Sequence, residues 1–313
     1  MEAQAVVLEK PGKLALRTLA LEEAGEGDIV VETLFSGIST GTEKLLYEGR
    51  MPTFPGMGYP LVPGYESVGR VVQGGGGIET GETVFAPGAR CYGDVRGLFG
   101  GAARRMVLPA ARAVRLDGAL GALGAQGVLV ALAATANHAL HDRGDPALPG
   151  LIIGHGVLGR LIARLTVAMG GAPVVHETTA ERRAGALGYT VCEPGDDDGR
   201  YARVLDASGA DGTIDRAVAQ LQKGGEIVLA GFYERPLSFA FPPAFIAEAR
   251  LRIAAEFTPA DMTAVTEMVA KGALSLDGLL THQLRAEQAA TAYETAFADP
   301  ACLKMTLDWR TTP

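Results

Sequence analysis

Residues 151–177, LIIGHGVLGRLIARLTVAMGGAPVVHE, decide the fold. Three apolar residues run straight into Gly154-His155-Gly156-Val157-Leu158-Gly159. Beyond the turn, Leu158, Leu161, Ile162, Leu165 and Ala168 recur at helical spacing, and Val174 and Val175 form a second apolar run ending at Glu177. Strand, glycine turn, helix, strand and terminal acid, in that order, predict a dinucleotide-binding βαβ unit. Gly154 permits the tight turn, Gly156 lets the backbone approach a pyrophosphate, and Gly159 lets helix and strand close on each other. Val157 and Leu158 open the helix, where unpaired N–H groups and a partial positive charge suit phosphate. Glu177 is placed to accept hydrogen bonds from ribose hydroxyls and to repel a 2′-phosphate. No Arg or Lys in 178–180 offsets that charge, so NAD is expected over NADP. His155 lies inside the turn, where it either donates to phosphate or is merely tolerated.

Working outward, the chain divides in texture. From 128 onward, helical and strand patterns alternate: a helix over 128–141 ending near Gly144, a helix over 180–187, strands at 203–206 and 226–230 with a helix over 213–221 between them. Lys223-Gly224-Gly225 reads as the helix-to-strand corner. Such alternation predicts a doubly wound parallel sheet. Residues 1–120 instead read as short strands with Gly/Pro punctuation, a β-barrel pattern. Two segments interrupt it: a short helix over 40–47, and the loop MPTFPGMGYPLVP at 51–63. Helices over 261–271 and 286–297 and a strand at 303–307 close the chain and return to the first domain.

At 313 residues two domains are expected, and 48% hydrophobic with 20% charged residues suits a large core. A net charge of −8 disfavours nucleic acid and anionic membranes as partners. Three cysteines, far apart and odd in number, do not make a disulfide framework. The first residues lack the pattern of a secretory signal, and no run of about 18 apolar residues occurs, so a cytoplasmic protein without a transmembrane segment is expected.

The order of GTE at 41–43, PGYESVGRV at 63–71, AATANHAL at 133–140, GHGVLG at 154–159, DASG at 206–209, AGF at 230–232 and LTHQL at 280–284 resembles the medium-chain dehydrogenase/reductase superfamily over essentially the whole chain. The resemblance implies a GroES-like β-barrel catalytic domain at 1–124, a Rossmann domain at 125–262 and a C-terminal return at 263–313. It adds Thr135, Ala207, Ser208, Gly209, Gly231 and Phe232 to the cofactor-binding residues. Within the superfamily, 36–66 (SGISTGTEKLLYEGRMPTFPGMGYPLVPGYE) resembles the branch that oxidises the 3-(1-hydroxyethyl) group of a (bacterio)chlorophyllide to 3-acetyl in bacteriochlorophyll biosynthesis. A small-molecule substrate and an NAD-dependent alcohol dehydrogenase activity are thereby implied; a homodimer is left open.

The departures from the superfamily pattern concern metal. Zinc-dependent relatives carry a Cys before the GT-acid motif, a His in a G-H-E motif and a Cys or acid at the start of the cofactor-domain helix. Those places hold Ser39 or Thr40 (the register is ambiguous by one), Tyr65 and Ala131. Hydroxyls and an alanine do not supply a zinc site, and Cys91 stands alone where a four-cysteine lobe would be, so no metal is expected. Tyr65 is the candidate hydrogen-bonding group or proton donor at the reacting oxygen, with Glu66 behind it; packing and an ion pair are the plainer roles. Thr40 and Thr42 are candidates to relay the hydroxyl proton, or to cap the helix that follows. Two other readings stand beside alcohol oxidation: a metal-free quinone or enone reductase, and a catalytically silent nucleotide-binding partner protein.

Overall fold

The computed structural model describes residues 1–141 and 147–312; Gly144, the expected helix end, lies outside them. Two compact units result, Met1–Val130 with Leu279–Pro313 and Ala131–Gly278. The divisions expected after 124 and 262 thus fall after 130 and 278. The second shift has a physical cause within the nucleotide unit. The helix Pro259–Ala270 begins with a Thr258/Asp261 capping box, and Asp261 also binds the Asn137 amide and the His138 ring, each at 2.9 Å. The Arg164 guanidinium then takes the Ser275 carbonyl at 2.8 Å. Those contacts hold 259–278 on the sheet side of the chain.

The nucleotide unit is a six-stranded parallel sheet. Its strands lie in the spatial order Thr190–Cys192, Val174–His176, Leu151–Ile153, Tyr201–Asp206, Leu221–Leu229, Arg250–Ile253. Chain order therefore reverses beside Leu151–Ile153, the topological switch point of a doubly wound fold. Leu151, Ile152 and Ile153 are all buried, as a short continuous apolar run in a parallel sheet should be. The following helix, Val157–Ala168, buries Leu161, Ile162 and Leu165 against the sheet.

Two expectations fail in this unit. The helix expected over 180–187 is only a 3₁₀ turn, Ala180–Arg182. The carbonyls of Arg182, Ala184 and Gly185, which a helix would use internally, instead accept from the buried Arg160 guanidinium at 2.8–3.3 Å. The corner at Lys223–Gly225 is absorbed into the strand Leu221–Leu229, with a register irregularity against Tyr201–Asp206.

The other unit carries a seven-stranded sheet built around the long strand Asp28–Ile38, and a four-stranded sheet in which Glu2–Lys10 pairs with Lys13–Ala20 and Leu61–Val62. β-branched Ile29, Val30 and Val31 are buried on the central strand. The chain's return is fixed by Met305–Asp308, antiparallel to Asp28–Ile38, and by Trp309, whose buried indole N–H donates to Ser36 Oγ at 2.9 Å. Sequence periodicity left several short strands unread; among them Leu61–Val62 pairs in parallel with Arg96–Gly97, each too short for any alternation to appear. Among the described residues, no helix is long and apolar enough to cross a membrane.

Candidate active site

Three hydroxyls meet at the end of the central strand. Tyr65 OH donates to Ser39 Oγ at 2.7 Å and lies 2.8 Å from Thr42 Oγ1, while the Ser39 and Thr42 hydroxyls are 3.2 Å apart. Local structure explains each placement. Asp28–Ile38 stops pairing at Ile38, and the next residue, Ser39, turns inward and is buried. The helix Thr42–Glu48 has no side-chain cap, so neither Thr40 nor Thr42 serves as one, and the Thr42 hydroxyl is free for Tyr65. Tyr65 follows Gly64 in the turn that enters the strand Ser67–Gln73.

Thr40 is exposed and outside this cluster. Of the two candidates Ser39 is the one whose hydroxyl lies with Thr42 and Tyr65, so the candidate catalytic set becomes Ser39, Thr42, Tyr65 and Glu66 in place of one containing Thr40. Glu66 lies behind Tyr65 and is fully enclosed. Its carboxylate accepts from Lys304 Nζ at 2.6 Å, and the same ammonium reaches the Ile38 carbonyl at 3.4 Å. A second buried acid, Glu43, accepts from Ser39 N–H at 3.0 Å and from Tyr293 OH at 2.6 Å.

The electrostatics follow from burial. Loss of water raises the Glu43 carboxyl to about 7, against the pull of its Tyr293 and Ser39 hydrogen bonds. Burial, and then the Glu66 carboxylate, hold the Tyr65 phenol above its ordinary range, so at neutral pH it is a phenol and a donor. Lys304, Glu43 and Tyr293 were not read from the sequence. A signal existed for two of them: Lys304 interrupts the apolar run Cys302–Leu307, and Glu43 directly follows Gly41-Thr42 at the head of an apolar helix. Their partners, far away in the chain, could not be paired by spacing.

No three His, Cys, Asp or Glu side chains are grouped to hold a metal among the described residues. The places that the resemblance assigns to zinc ligands hold hydroxyls at Ser39 and Tyr65 and a methyl group at Ala131, residue types that do not fit zinc.

Beside this cluster the ring of Phe99, 40% exposed, meets Tyr65 edge to face at 5.2 Å. The 51–60 loop packs part of itself on the unit: Met51 is buried, and Phe54, Met57 and Tyr59 are half-buried against Leu8, Leu46, Leu61 and Leu98. Tyr59 OH also donates to the Leu46 carbonyl. The loop is fastened at its base and keeps part of its aromatic surface in solvent.

In the nucleotide unit, the residues expected to hold a cofactor gather at the C-terminal edge of the sheet. Gly154 has φ of 98° and packs on Ser208, and a Cβ on Gly159 would lie 1.8 Å from the Gly154 carbonyl oxygen. Only glycine fits either place. A Cβ on Gly156, by contrast, would meet nothing within 4 Å, so the backbone there is open to a ligand. Gly156 caps the helix Val157–Ala168 without a side-chain hydrogen bond, leaving its first N–H groups, Val157 and Leu158 among them, for a phosphate.

Ala207, Ser208 and Gly209 are shaped by Asp206, which is fully buried. Asp206 accepts from Ser208 N and Oγ at 3.1 and 2.6 Å, from Gly209 N at 3.1 Å and from Tyr233 OH. Gly231 closes on Gly209, and Phe232 is 49% exposed at the rim. Thr135 is turned back on its own helix, its hydroxyl donating to the Ala131 carbonyl at 3.1 Å. The open turn, the uncapped helix and the strand-end loops fit a dinucleotide.

Glu177 ends Val174–His176 and bonds two backbone N–H groups, His155 at 2.9 Å and Thr179 at 2.8 Å. The His155 side chain is not offered to a phosphate. It is buried, with Nδ1 2.6 Å from the Arg182 carbonyl and Nε2 2.8 Å from Tyr189 OH, and burial lowers it to about 4. Its contribution to the turn is its backbone N–H. His176 bonds Asp197 at 2.8 Å, away from the turn.

Residues 25–118 match the family model of the alcohol dehydrogenase GroES-like domain. A 2-desacetyl-2-hydroxyethyl bacteriochlorophyllide A dehydrogenase from Rhodobacter capsulatus is 57% identical over 315 residues, covering 99% of each chain. The protein of that name from Cereibacter sphaeroides is likewise 57% identical, over 100% of each chain. A solved structure from E. coli CFT073, described as a short chain alcohol dehydrogenase complexed with NADH, superposes with a TM-score of 0.82 at 21% identity, over 98% of this chain and 99% of that one. At that identity the likeness speaks to the fold.

Proposed function

The chain belongs to the family of 2-desacetyl-2-hydroxyethyl bacteriochlorophyllide A dehydrogenases, and from that premise we propose that it oxidises the hydroxyethyl side chain of a bacteriochlorophyllide to an acetyl group with NAD and without a metal. The observation that carries the metal-free part is the hydroxyl cluster of Ser39, Thr42 and Tyr65, which stands where zinc-dependent relatives place ligands.

Bound nicotinamide supplies the hydride acceptor for the carbinol carbon. As the hydride leaves, the substrate oxygen gains alkoxide character, and an aliphatic alcohol is too weak an acid to ionise unaided near neutral pH. Tyr65, kept protonated by burial, takes up the hydroxyl proton of that oxygen while giving its own to Ser39 Oγ, to which it already donates at 2.7 Å. The Thr42 and Ser39 hydroxyls, each in contact with Tyr65, pass the proton on, since a hydroxyl gives up its own proton as it accepts another. Exposed Thr40, next in the chain to Ser39, marks the side on which solvent is reached.

Glu66 and Glu43 hold the frame: one is anchored to Lys304 below Tyr65, the other to the Ser39 backbone. On the nucleotide side, Gly156 and the helix N-terminus hold the pyrophosphate and Glu177 the adenosine ribose. Arg183 is engaged by Glu193, which leaves Glu177 unopposed by it against a 2′-phosphate.

The test is to mix the protein with NAD⁺ and hydroxyethyl bacteriochlorophyllide a and follow the absorption spectrum. The expected result is conversion to the acetyl pigment with matching NADH formation. Cofactor binding without turnover, or reduction of an enone in place of alcohol oxidation, would defeat the proposal.

A further inference from the structure

The substrate chemistry places two demands on a binding surface that the hydroxyl cluster alone does not meet. A bacteriochlorophyllide is a broad conjugated plate, and it carries a free propionate on the ring adjacent to the one bearing the hydroxyethyl group. The chain has a net charge of −8, so a carboxylate-bearing ligand gains nothing from the overall field and needs a local cation. Resting on the proposed function, we infer that Phe99 and Arg96 form the specificity surface of this site: Phe99 lies against the face of the macrocycle, and Arg96 pairs with its propionate.

Both residues stand on one short stretch whose position is well fixed. Arg96–Gly97 pairs in parallel with Leu61–Val62, and beyond it the N–H groups of Leu98 and Gly100 both donate to the Val62 carbonyl, at 3.0 and 2.9 Å. Leu98 is buried and anchors the stretch from below, while Phe99 is turned out to solvent, edge-on to the Tyr65 ring at 5.2 Å. A large apolar ring in contact with the hydroxyl cluster, yet 40% exposed, is costly to leave in water and well placed to meet an aromatic plate.

Three residues earlier, Arg96 is exposed, and among the described residues the one hydrogen bond of its side chain is a long one, Nη1 to the Tyr59 carbonyl at 3.5 Å. Its guanidinium lies flat on the 51–60 loop at Gly58, where a Cβ would come within 3.0 Å of Cζ. The loop backbone thereby positions the guanidinium on one side while the other remains open. No carboxylate of the described chain pairs with it, whereas acids do pair with Arg50, Arg105 and Arg115 of the same unit. A guanidinium held in place with no internal acid is suited to an external carboxylate, whose two oxygens match its fork.

The experiment is a cycle of two substrates and two side chains. kcat and KM are measured for the free propionic acid and for its methyl ester, with the wild-type protein, Arg96→Gln and Arg96→Lys. The ester's own solubility and bulk cancel in the comparison, leaving the coupling between guanidinium and carboxylate. The expected result is an acid-over-ester preference in kcat/KM that falls by about three- to tenfold in Arg96→Gln, through KM, and is partly retained in Arg96→Lys. The preference should also shrink as salt rises. Phe99→Leu should raise KM for acid and ester alike.

A preference unchanged by Arg96→Gln would show an ordinary solvated arginine and overturn the pairing. A Phe99→Leu variant with wild-type KM for both pigments would overturn the stacking. In either case, turnover by the wild-type protein would leave the proposed function standing; turnover of neither pigment by the wild type would remove both together.

Discussion

At the turn 154–159 the groups offered to a ligand are backbone N–H groups, and the polar side chains around them are consumed inward. His155 is spent on Arg182 and Tyr189, and Asp206 on Ser208, Gly209 and Tyr233. At Tyr65 the arrangement is reversed. Side-chain hydroxyls are grouped together, and the structure behind them is tied up by two buried acids and a buried lysine. A backbone site is lost when a glycine gains a side chain and is indifferent to many other changes. A side-chain site is lost atom by atom, and it depends on buried charges that must stay paired.

Changes on the hydroxyl side should therefore have the larger effects. Tyr65→Phe removes one oxygen and should lower kcat by roughly 10²–10⁴-fold, the span of a general acid–base group, with NAD affinity nearly unchanged. Steady-state kinetics and a cofactor titration separate the two quantities, and normal turnover would erase the distinction between the regions. Next in size is Lys304→Met, which strands the Glu66 carboxylate in a dry environment and should cost about 3–5 kcal/mol of stability in denaturant unfolding. Near-wild-type stability would mean that Glu66 finds water or another partner.

A pH effect follows from Glu43, whose folded value, about 7, lies above its ordinary value of 4.5 because of burial. A raised acid binds more protons folded than unfolded, so its stabilising contribution is complete below about 4.5 and is lost as pH rises through about 7. The loss should reach up to about 3 kcal/mol. Glu43→Gln, which can still accept from Ser39 N–H and donate to the Tyr293 oxygen, should flatten the decline in stability between pH 5 and 8. An equally steep decline in that variant would place the titrating group elsewhere.

The smallest effect belongs to the backbone site. Glu177→Ala removes one ribose contact and one repulsion, and should narrow NAD over NADP discrimination by about 1–3 kcal/mol in a fluorescence titration. Equal or tighter binding of NADPH to the unaltered protein would reverse the assignment.

The same contrast explains how much the sequence disclosed. The nucleotide unit was legible from 151–177 because its function resides in a local order of glycines, apolar residues and one acid. The inward turn of His155 was not legible, since Arg182 and Tyr189 are brought to it by the fold. The helix expected over 180–187 failed for a similar reason: Arg160 captures the carbonyls that would have made it.

In the other unit, Thr42, Tyr65 and Glu66 stood in recognisable motifs. The choice of Ser39 over Thr40 depended on where a strand stops pairing. Lys304 and Tyr293, which anchor the two buried acids, lie 238 and 250 positions from them, a separation that no local pattern reaches.

The central claim, that hydroxyls perform alcohol oxidation where relatives use zinc, is tested most directly by turnover of the metal-stripped protein. Protein treated with a strong chelator and verified by elemental analysis is given NAD⁺ and hydroxyethyl bacteriochlorophyllide a, and acetyl product is followed spectroscopically. The expected result is an unchanged rate, insensitive to added zinc. Activity lost on chelation and restored by stoichiometric zinc would contradict it.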